Sequence, residues 1–325
     1  AGLAAADMLR EKGYQVTVYD RYDRVGGLLI YGIPGFKLEK HVVQRRHKLL
    51  EDGGVTFRLN CDIGTDISFD EIREAHDAVL VATGVYKARD ISAPSIGMGG
   101  IVPALDYLTA SNRKSLGDEV ADFDSGLLNA EGRDVVVIGG GDTAMDCVRT
   151  AIRQKANSVT CLYRRDRANM PGSQREVANA EEEGVDFRWL SAPQAFLGDN
   201  HVRAVQAQKI HLGQPDATGR QVPQVIENSS HEITADLVIK ALGFDPEDIP
   251  TMFGAPELEV SKWGTIGVDW TTMMTSLPGV FAAGDIVRGA SLVVWGVRDG
   301  RDAAESIHSY IMAQSEAPRA AAAGA

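Results

Sequence analysis

The chain of 325 residues contains only three cysteines, Cys61, Cys147 and Cys161, and they are far apart in the sequence. None belongs to a C-x-x-C pair, which a disulfide-relay reductase needs, and an iron–sulfur cluster generally takes four thiolate ligands. We therefore expect neither a relay nor a cluster on this chain, and the few thiols fit a reducing, cytoplasmic compartment. The histidines lack H-E-x-x-H or H-x-x-E-H spacing, so we also expect no metal site.

Long apolar runs and basic runs are missing as well. No apolar stretch approaches the ~20 residues of a membrane span, and no signal peptide is recognisable. The net charge is −12 and no basic run offsets it, which argues against nucleic acid as the main ligand. The remaining composition is that of a globular protein long enough for two domains. We expect a cytoplasmic enzyme with neither nucleic acid nor membrane as partner.

Residues 136–144 read VVIGGGDTA, a β-branched strand followed by G-x-G-x-x-A and a predicted helix. In a dinucleotide site Gly139 permits the tight turn, Gly141 lets the backbone approach the pyrophosphate, and Ala144 lets helix and strand pack closely. The phosphates then lie against the N–H groups and the positive dipole end of the helix. This stretch predicts a dinucleotide cradle.

The next predicted strand, residues 158–163, ends in Arg164 and Arg165. An NAD site usually has an acid here that binds the ribose 2′-OH, whereas two arginines suit the 2′-phosphate of NADP. The pair therefore favours NADP. The alternative is a buried glycine turn beside a solvated basic pair.

The N-terminus predicts half of a second nucleotide site. A helix begins near Gly2, stops near Gly13, and leads into a strand that ends at Asp20. This is the back half of a βαβ unit, in which Gly2 is the last glycine of G-x-G-x-x-G and Asp20 binds the adenosine ribose. We expect that the sequence starts inside this fingerprint. The alternative is a surface helix without a missing partner.

Further strands end in small residues, as strands do where their carboxyl ends meet a cofactor. Such ends are predicted at residues 82–84, 241–243 and 284–285, and residues 26–28 and 31–37 form glycine-rich loops. Taken singly, each is more simply an ordinary glycine turn. Their order along the chain is what indicates two cofactor sites.

Flavin-type signals occur at both ends of the chain and the NADP signals in the middle, so one domain is inserted in another. We predict an α/β protein with two interleaved Rossmann-like dinucleotide-binding domains. Residues 1–104 and 271–325, including a C-terminal tail, form the FAD domain, and residues 105–270 form the NADPH domain. Helices are predicted over 38–53, 68–76, 142–155, 172–183 and 296–313, and antiparallel strands over 185–189 and 202–211.

Several blocks resemble the small (β) subunit of bacterial NADPH-dependent glutamate synthase. They include residues 31–41 (YGIPGFKLEKH), 169–173 (NMPGS) and 289–295 (GASLVVW). The resemblance covers essentially the whole chain. It implies FAD and NADPH as cofactors, the large (α) subunit as partner, and glutamate formation from glutamine and 2-oxoglutarate. It also implies iron–sulfur clusters in an N-terminal region that these residues do not include.

The resemblance assigns residues to both cofactors, and no catalytic side chain, because hydride passes directly between the cofactors. For FAD the residues are Gly2, Asp20, Gly26, Gly27, Leu28, Pro34, Lys37, Ala82, Thr83, Gly84, Gly284, Asp285, Ala290, Ser291 and Leu292. For NADPH they are Gly139, Gly140, Gly141, Asp142, Thr143, Ala144, Arg164, Arg165, Ala241, Leu242 and Gly243.

Three other interpretations are distinguishable from this one. A thioredoxin-reductase-like enzyme shares the two-domain plan but needs the absent C-x-x-C. An NADPH-linked flavin subunit feeding a pyrimidine dehydrogenase or ferredoxin is a nearer alternative, which the NMPGS block disfavours. A non-catalytic docking subunit with empty sites belongs to another class, and the intact motifs argue against it.

Overall fold

The structure is a computed structural model that describes residues 1–215 and 221–322, with side chains up to residue 315. Its helices are α1 (Gly2–Glu11), α2 (Leu28–Tyr31), α3 (Lys40–Asp52), α4 (Phe69–Ala75), α5 (Ala104–Ser115), α6 (Ala121–Asp124), α7 (Asp142–Arg153), α8 (Gln174–Glu182), α9 (Ile249–Phe253), α10 (Asp285–Arg288) and α11 (Val293–Ala322). Its strands are β1 (Thr17–Tyr19), β2 (Thr56–Arg58), β3 (Val79–Val81), β4 (Lys87–Ala88), β5 (Ile101–Pro103), β6 (Asp134–Ile138), β7 (Ser158–Leu162), β8 (Asp186–Arg188), β9 (Ser191–Gly198), β10 (Val202–Pro215), β11 (Gln221–Val225), β12 (His231–Thr234), β13 (Leu237–Lys240), β14 (Phe244–Asp245) and β15 (Val280–Ala282). The predicted α/β class and the five predicted helices are confirmed.

The chain forms two compact units. Unit 1 comprises Ala1–Gly27, His41–Lys87 and Phe244–Ala325, and unit 2 comprises Leu28–Lys40 and Ala88–Gly243. These boundaries differ from those expected from the sequence. Residues 88–104 belong to unit 2 because β5 pairs with β13, and residues 244–270 belong to unit 1 because Ile249, Leu258 and Ile266 share a core with Phe69 and Val280.

Unit 2 is built on a parallel sheet in the order β5-β13-β6-β7-β8. The central strand β6 is an almost uninterrupted β-branched run, and Val135 to Ile138 are all buried. Such a run suits a strand that is covered on both faces. From β6 the chain continues through α7 to β7 and through α8 to β8, all on one side of β6. Strand β13 lies on the other side, so the strand order reverses beside β6. That reversal is where open α/β sheets bind ligands.

A second sheet of unit 2 is antiparallel, with β10 paired to β9, β11 and β12. The antiparallel strand predicted over 202–211 is confirmed. The same prediction for 185–189 is wrong, because β8 pairs with β7 in parallel. A helix, α8, connects these two strands, and a helical crossover returns the chain in the same direction.

Unit 1 contains two parallel strand pairs, β1 with β2 and β3 with β15. All three residues of β15 are buried, and its neighbour β3 ends at the buried Val81. Helix α4 starts with a complete capping box between Ser68 and Glu71. None of the helices in the described part of the chain combines the length and hydropathy that a membrane-spanning helix requires.

Candidate functional site

In unit 2, three loops meet at the carboxyl ends of neighbouring strands. The N–H of Gly139 donates to the carbonyl of Leu162 at 3.1 Å, and the N–H of Ala241 donates to the carbonyl of Ile138 at 2.8 Å. The turns after β6, β7 and β13 are thereby held side by side. All the residues predicted for NADPH, from 139–144, 164–165 and 241–243, lie in these loops or at the start of α7.

The three glycines of the β6–α7 turn have different neighbours. A Cβ at Gly139, whose φ is +147°, would lie 2.1 Å from the carbonyl oxygen of Ala241. A Cβ at Gly140 would lie 2.4 Å from the ring of Tyr163. A Cβ at Gly141 meets no atom within 4 Å, so this backbone faces open space at the N-terminus of α7. The turn therefore forms a cradle whose open side fits a phosphate.

The loop that contains Asn169 to Ser173 is attached to this cradle. The N–H of Gly172 donates to the carbonyl of Gly140 at 2.9 Å, and the N–H of Ser173 donates to Asp142 Oδ1 at 3.0 Å. Tyr163 donates its hydroxyl to the carbonyl of Asn169 at 3.2 Å. Sequence reasoning assigned no role to Tyr163, Gly172 or Ser173. The Pro-Gly-Ser sequence after the basic strand end is the signal that points to them.

The two arginines that follow β7 are available to an anion. Arg164 is exposed, and within the described residues it makes no hydrogen bond or ion pair. The Nε of Arg165 is buried and has no hydrogen-bond partner in the same part of the chain. A buried guanidinium donor without a partner is costly, and a bound phosphate would satisfy it. The residues present therefore fit the 2′-phosphate of NADPH.

Alanine at Gly139 and at Gly141 is expected to have opposite consequences. Gly139→Ala places a Cβ against the backbone of Ala241 and should lower the stability of the fold by about 2 kcal/mol or more. Gly141→Ala adds a methyl group in open space and should leave the Tm unchanged while weakening NADPH binding. Thermal unfolding and NADP⁺ titration of both variants test this. Equal Tm values for the two variants would contradict the geometry.

In unit 1, the start of α1 lies at the ends of β3 and β15. A Cβ at Gly2 would come within 3.4 Å of the Ala82 side chain, and a Cβ at Gly284, whose φ is +82°, within 2.8 Å of the Ala1 side chain. The positive φ and the short contact at Gly284 favour glycine there, whereas the contact at Gly2 is an ordinary one. Gly2, Ala82, Thr83, Gly84, Gly284 and Asp285 are therefore brought together.

Two half-buried carboxylates follow strands of unit 1. Asp20 follows β1, and its Oδ1 accepts the N–H of Tyr22 at 3.0 Å. Asp285 is the first residue of α10 and accepts the N–H of Ser291. Burial raises the pKa of both carboxyl groups, and the backbone hydrogen bond opposes this rise in each case. Both fit the hydroxyl groups of a ribose or ribityl chain.

The loops around Gly27 and Gly84 are neighbours in unit 1. Gly26 and Gly27 have φ values of +123° and +53°, and a Cβ at Gly27 would lie 3.1 Å from the hydroxyl of Tyr86. Arg21 lies over the ring of Tyr86, 4.9 Å from its centroid, and forms a bidentate ion pair with a glutamate of the β14–α9 loop. The loop predicted to contact the flavin pyrophosphate thus lies against Tyr86. The predicted ring contacts Ala290, Ser291 and Leu292 are exposed between α10 and α11.

Three of the residues predicted for FAD fall in the other unit of the chain. Leu28, Pro34 and Lys37 belong to unit 2, whereas the other predicted FAD residues belong to unit 1. Pro34 is buried, and the Nζ of Lys37 lies 2.7 Å from Asp146 Oδ1 on α7. The resemblance assigned Lys37 to a flavin loop. Its partner carboxylate is 109 residues away along the chain, so no local pattern predicted this ion pair.

The strand-end cradles define a class of protein. The chain belongs to the pyridine nucleotide-disulphide oxidoreductase family, whose model matches residues 1–317. The solved structure of FprA from Mycobacterium tuberculosis in complex with NADPH has the same fold, with a TM-score of 0.79 and 17% identity over 97% of this chain and 83% of that one.

Closer relatives are the small chains of glutamate synthase [NADPH]. The protein of Azospirillum brasilense is 68% identical over 323 residues, which are 99% of this chain and 67% of the relative. A putative small chain of Cereibacter sphaeroides is also 68% identical, over 95% of this chain and 74% of its own length. The resemblance found in the sequence is confirmed. The chain spans about two thirds to three quarters of the length of these relatives.

Proposed function

We propose that this chain is the NADPH-oxidising flavin portion of a glutamate synthase small subunit. The observation that carries this proposal is the pair of cradles at strand ends. The cradle in unit 2 has Gly141 at its open side, and the Nε of Arg165, after the next strand, has no partner among the described residues. The identity of 68% with glutamate synthase [NADPH] small chains supports the same assignment. The intact turn motifs at the strand ends argue against the docking-subunit alternative.

Each cofactor is assigned to a set of residues. In unit 2, Gly139 to Ala144 would hold the NADPH pyrophosphate, Arg164 and Arg165 its 2′-phosphate, and Ala241 to Gly243 its nicotinamide side. In unit 1, Gly2, Asp20 and Gly26 to Gly27 would hold the adenosine and pyrophosphate of FAD, and Gly284 to Asp285 its ribityl chain. Ala82 to Gly84 and Ala290 to Leu292 would complete that site.

The protein's own contribution is binding and orientation. When both cofactors are bound, NADPH supplies a hydride that FAD accepts, and no acid–base pair is needed. Backbone turns and carboxylates that are already in place can hold both cofactors in the geometry for hydride transfer. In this chain the close contacts are those of Gly139 with the Ala241 backbone and of Gly284 with the Ala1 side chain.

The large (α) subunit is the proposed partner, and glutamate formation from glutamine and 2-oxoglutarate is the proposed activity of the complex. Iron–sulfur clusters would carry the electrons to it. We place their ligands outside these 325 residues, because Cys147 and Cys161 are buried on α7 and β7 and Cys61 is isolated in unit 1. Burial raises the pKa of the Cys161 thiol to about 12, which disfavours the thiolate that a cluster requires. A cytoplasmic location remains a prediction from the sequence.

A division of labour follows and is testable on the full-length protein. With FAD bound, it is expected to reduce ferricyanide or a tetrazolium dye with NADPH, and to form no glutamate until the large subunit is added. Cys61→Ser, Cys147→Ser and Cys161→Ser should leave the dye activity within about threefold. Cys147 and Cys161 are small buried residues that mainly affect packing, and Cys61 is partly exposed.

The assay also separates the alternatives. Failure to oxidise NADPH with any acceptor would favour the docking subunit, and reduction of ferredoxin or a pyrimidine without response to the large subunit would favour the other flavin subunits. Loss of dye activity in the Cys147→Ser or Cys161→Ser variant at unchanged Tm would contradict the assignment of these thiols to packing.

A further inference from the structure

Residues Leu28–Lys40 form a strap on unit 2. The chain segments before and after the strap belong to unit 1, but the strap itself is packed with the dinucleotide-binding unit. Asn112 on α5 donates to the carbonyl of Tyr31 at 2.9 Å. Phe36 lies 3.8 Å from the guanidinium of Arg153 on α7, measured to the ring centroid. These contacts attach the two ends of the YGIPGF sequence to α5 and α7.

The charged anchor of the strap is Lys37. Its Nζ lies 2.7 Å from Asp146 on α7 and 3.5 Å from Glu176 on α8. Asp146 is only 7% exposed, and burial raises the pKa of its carboxyl group to about 6, against the opposing effect of Lys37. Glu176 also accepts a hydrogen bond from the buried Arg149 at 2.8 Å. Lys37 therefore joins α7 to α8 through two acidic side chains.

Both helices begin at the NADPH cradle. Asp146 lies one turn after Asp142 on the same face of α7, about 6 Å along the helix axis. Asp142 accepts the N–H of Ser173, the residue at which α8 starts. The ion pair between Lys37 and Asp146 therefore lies one helical turn after the contact between Asp142 and Ser173.

The charges give Lys37 a second effect. Asp142, Asp146 and Glu176 place three acidic groups near the N-termini of α7 and α8, where the phosphates of the dinucleotide would lie. Like charges at this range repel an anion, most strongly where burial lowers the effective dielectric constant. Lys37 compensates Asp146 and shares Glu176 with Arg149, so its removal leaves the buried Asp146 carboxylate without its cation beside an anion-binding turn.

We propose that Lys37 is a positioning residue for NADPH: through Asp146 and Glu176 it fixes the starts of α7 and α8 and lowers the negative potential at the cradle. The proposal rests on the proposed function of that site. It reassigns Lys37 from the flavin to the nicotinamide nucleotide. Lys37 touches neither cofactor in this role and acts only through the two helices.

The test compares Lys37→Met, Lys37→Arg and Asp146→Asn in the full-length, FAD-loaded protein. Lys37→Met is expected to raise the KM for NADPH and the Kd for NADP⁺ about tenfold. Its kcat with ferricyanide should change less than about threefold, because positioning of the nucleotide is lost and the flavin site is not. Lys37→Arg keeps the charge and should retain most of the affinity. Asp146→Asn also breaks the ion pair with Lys37 but removes a negative charge beside the cradle, so its loss of affinity should be smaller than that of Lys37→Met.

Lys48→Met is the matched control, because Lys48 forms an ion pair of similar length with Asp52, on an exposed face of α3. Exposed pairs contribute little, so this variant should be like the wild type in every readout. Flavin absorbance after desalting reports the FAD content of each variant. A Lys37→Met protein that loses FAD and NADP⁺ affinity together would show a general role in folding and overturn the proposal.

Hydrogen exchange of the wild-type strap amides gives a readout that needs no variant. NADP⁺ is expected to slow exchange over residues 28–40 at least about threefold, since the strap and the nucleotide hold the same two helices. Unchanged exchange would overturn the proposal. If the Lys37→Met and Asp146→Asn variants bind NADP⁺ as tightly as the wild type does, the proposed role of Lys37 fails and the proposed function stands. A wild type without NADP⁺ affinity would overturn the proposed function as well.

Discussion

Replacing Arg164 by Ser and Arg165 by Asp is expected to lower kcat/KM for NADPH by about two to four orders of magnitude, with a change of less than about tenfold for NADH. Each charge-assisted hydrogen bond to the 2′-phosphate contributes about 1.5–3 kcal/mol, and two such residues are removed. The Asp at position 165 adds an acceptor for the 2′-OH of NADH. The structure supports the effect because the Nε of Arg165 is buried and lacks a partner within the described residues.

Dye reduction with each nucleotide measures this preference, and Arg188→Gln is the matched control. Arg188 ends β8, the next strand of the same sheet, and its Nε lies 2.7 Å from Asp186 on the exposed surface. We expect this variant to keep the wild-type ratio of NADPH to NADH activity. If the double variant at positions 164 and 165 also keeps that ratio, these arginines do not bind the 2′-phosphate.

Replacing Asp285 or Asp20 by Ala is expected to weaken FAD binding by about 10- to 100-fold, since each carboxylate would lose charge-assisted hydrogen bonds to hydroxyl groups. Most of the visible flavin absorbance should then be lost on desalting. Both carboxyl groups are half-buried at strand ends, and burial raises the pKa of each in the protein without cofactor. A hydroxyl donor would stabilise the charged form, so FAD should also lower both pKa values.

Asp52→Asn serves as the control for the flavin variants, because Asp52 is an exposed residue at the end of α3. It should retain stoichiometric FAD. The Tm of each flavin variant without FAD is compared with that of the wild type without FAD. Similar values show that a loss of FAD reflects weaker binding and not unfolding. Full FAD retention by both variants would assign these carboxylates to the structure of unit 1 alone.

Local sequence determined the chemistry of the two cradles. A buried β-branched strand, glycines at the turn and the start of a helix lie within nine residues at 136–144, so the motif can be recognised from adjacent residues. The strand ends at Asp20, Arg164 and Gly284 were recognised in the same way. At Gly139 and Gly284 a positive φ favours glycine.

Tertiary structure alone decided which of these segments belong together. The strap is covalently continuous with unit 1, but Lys37 binds Asp146 across 109 residues of sequence, and no local pattern encodes that pairing. The unit boundaries depend equally on distant partners, as in the pairing of β5 with β13. Burial of an acid such as Asp146 is stabilised only if a cation arrives from elsewhere in the fold. The sequence thus determined the cofactor chemistry of each turn, and long-range packing decided which helices and side chains surround it.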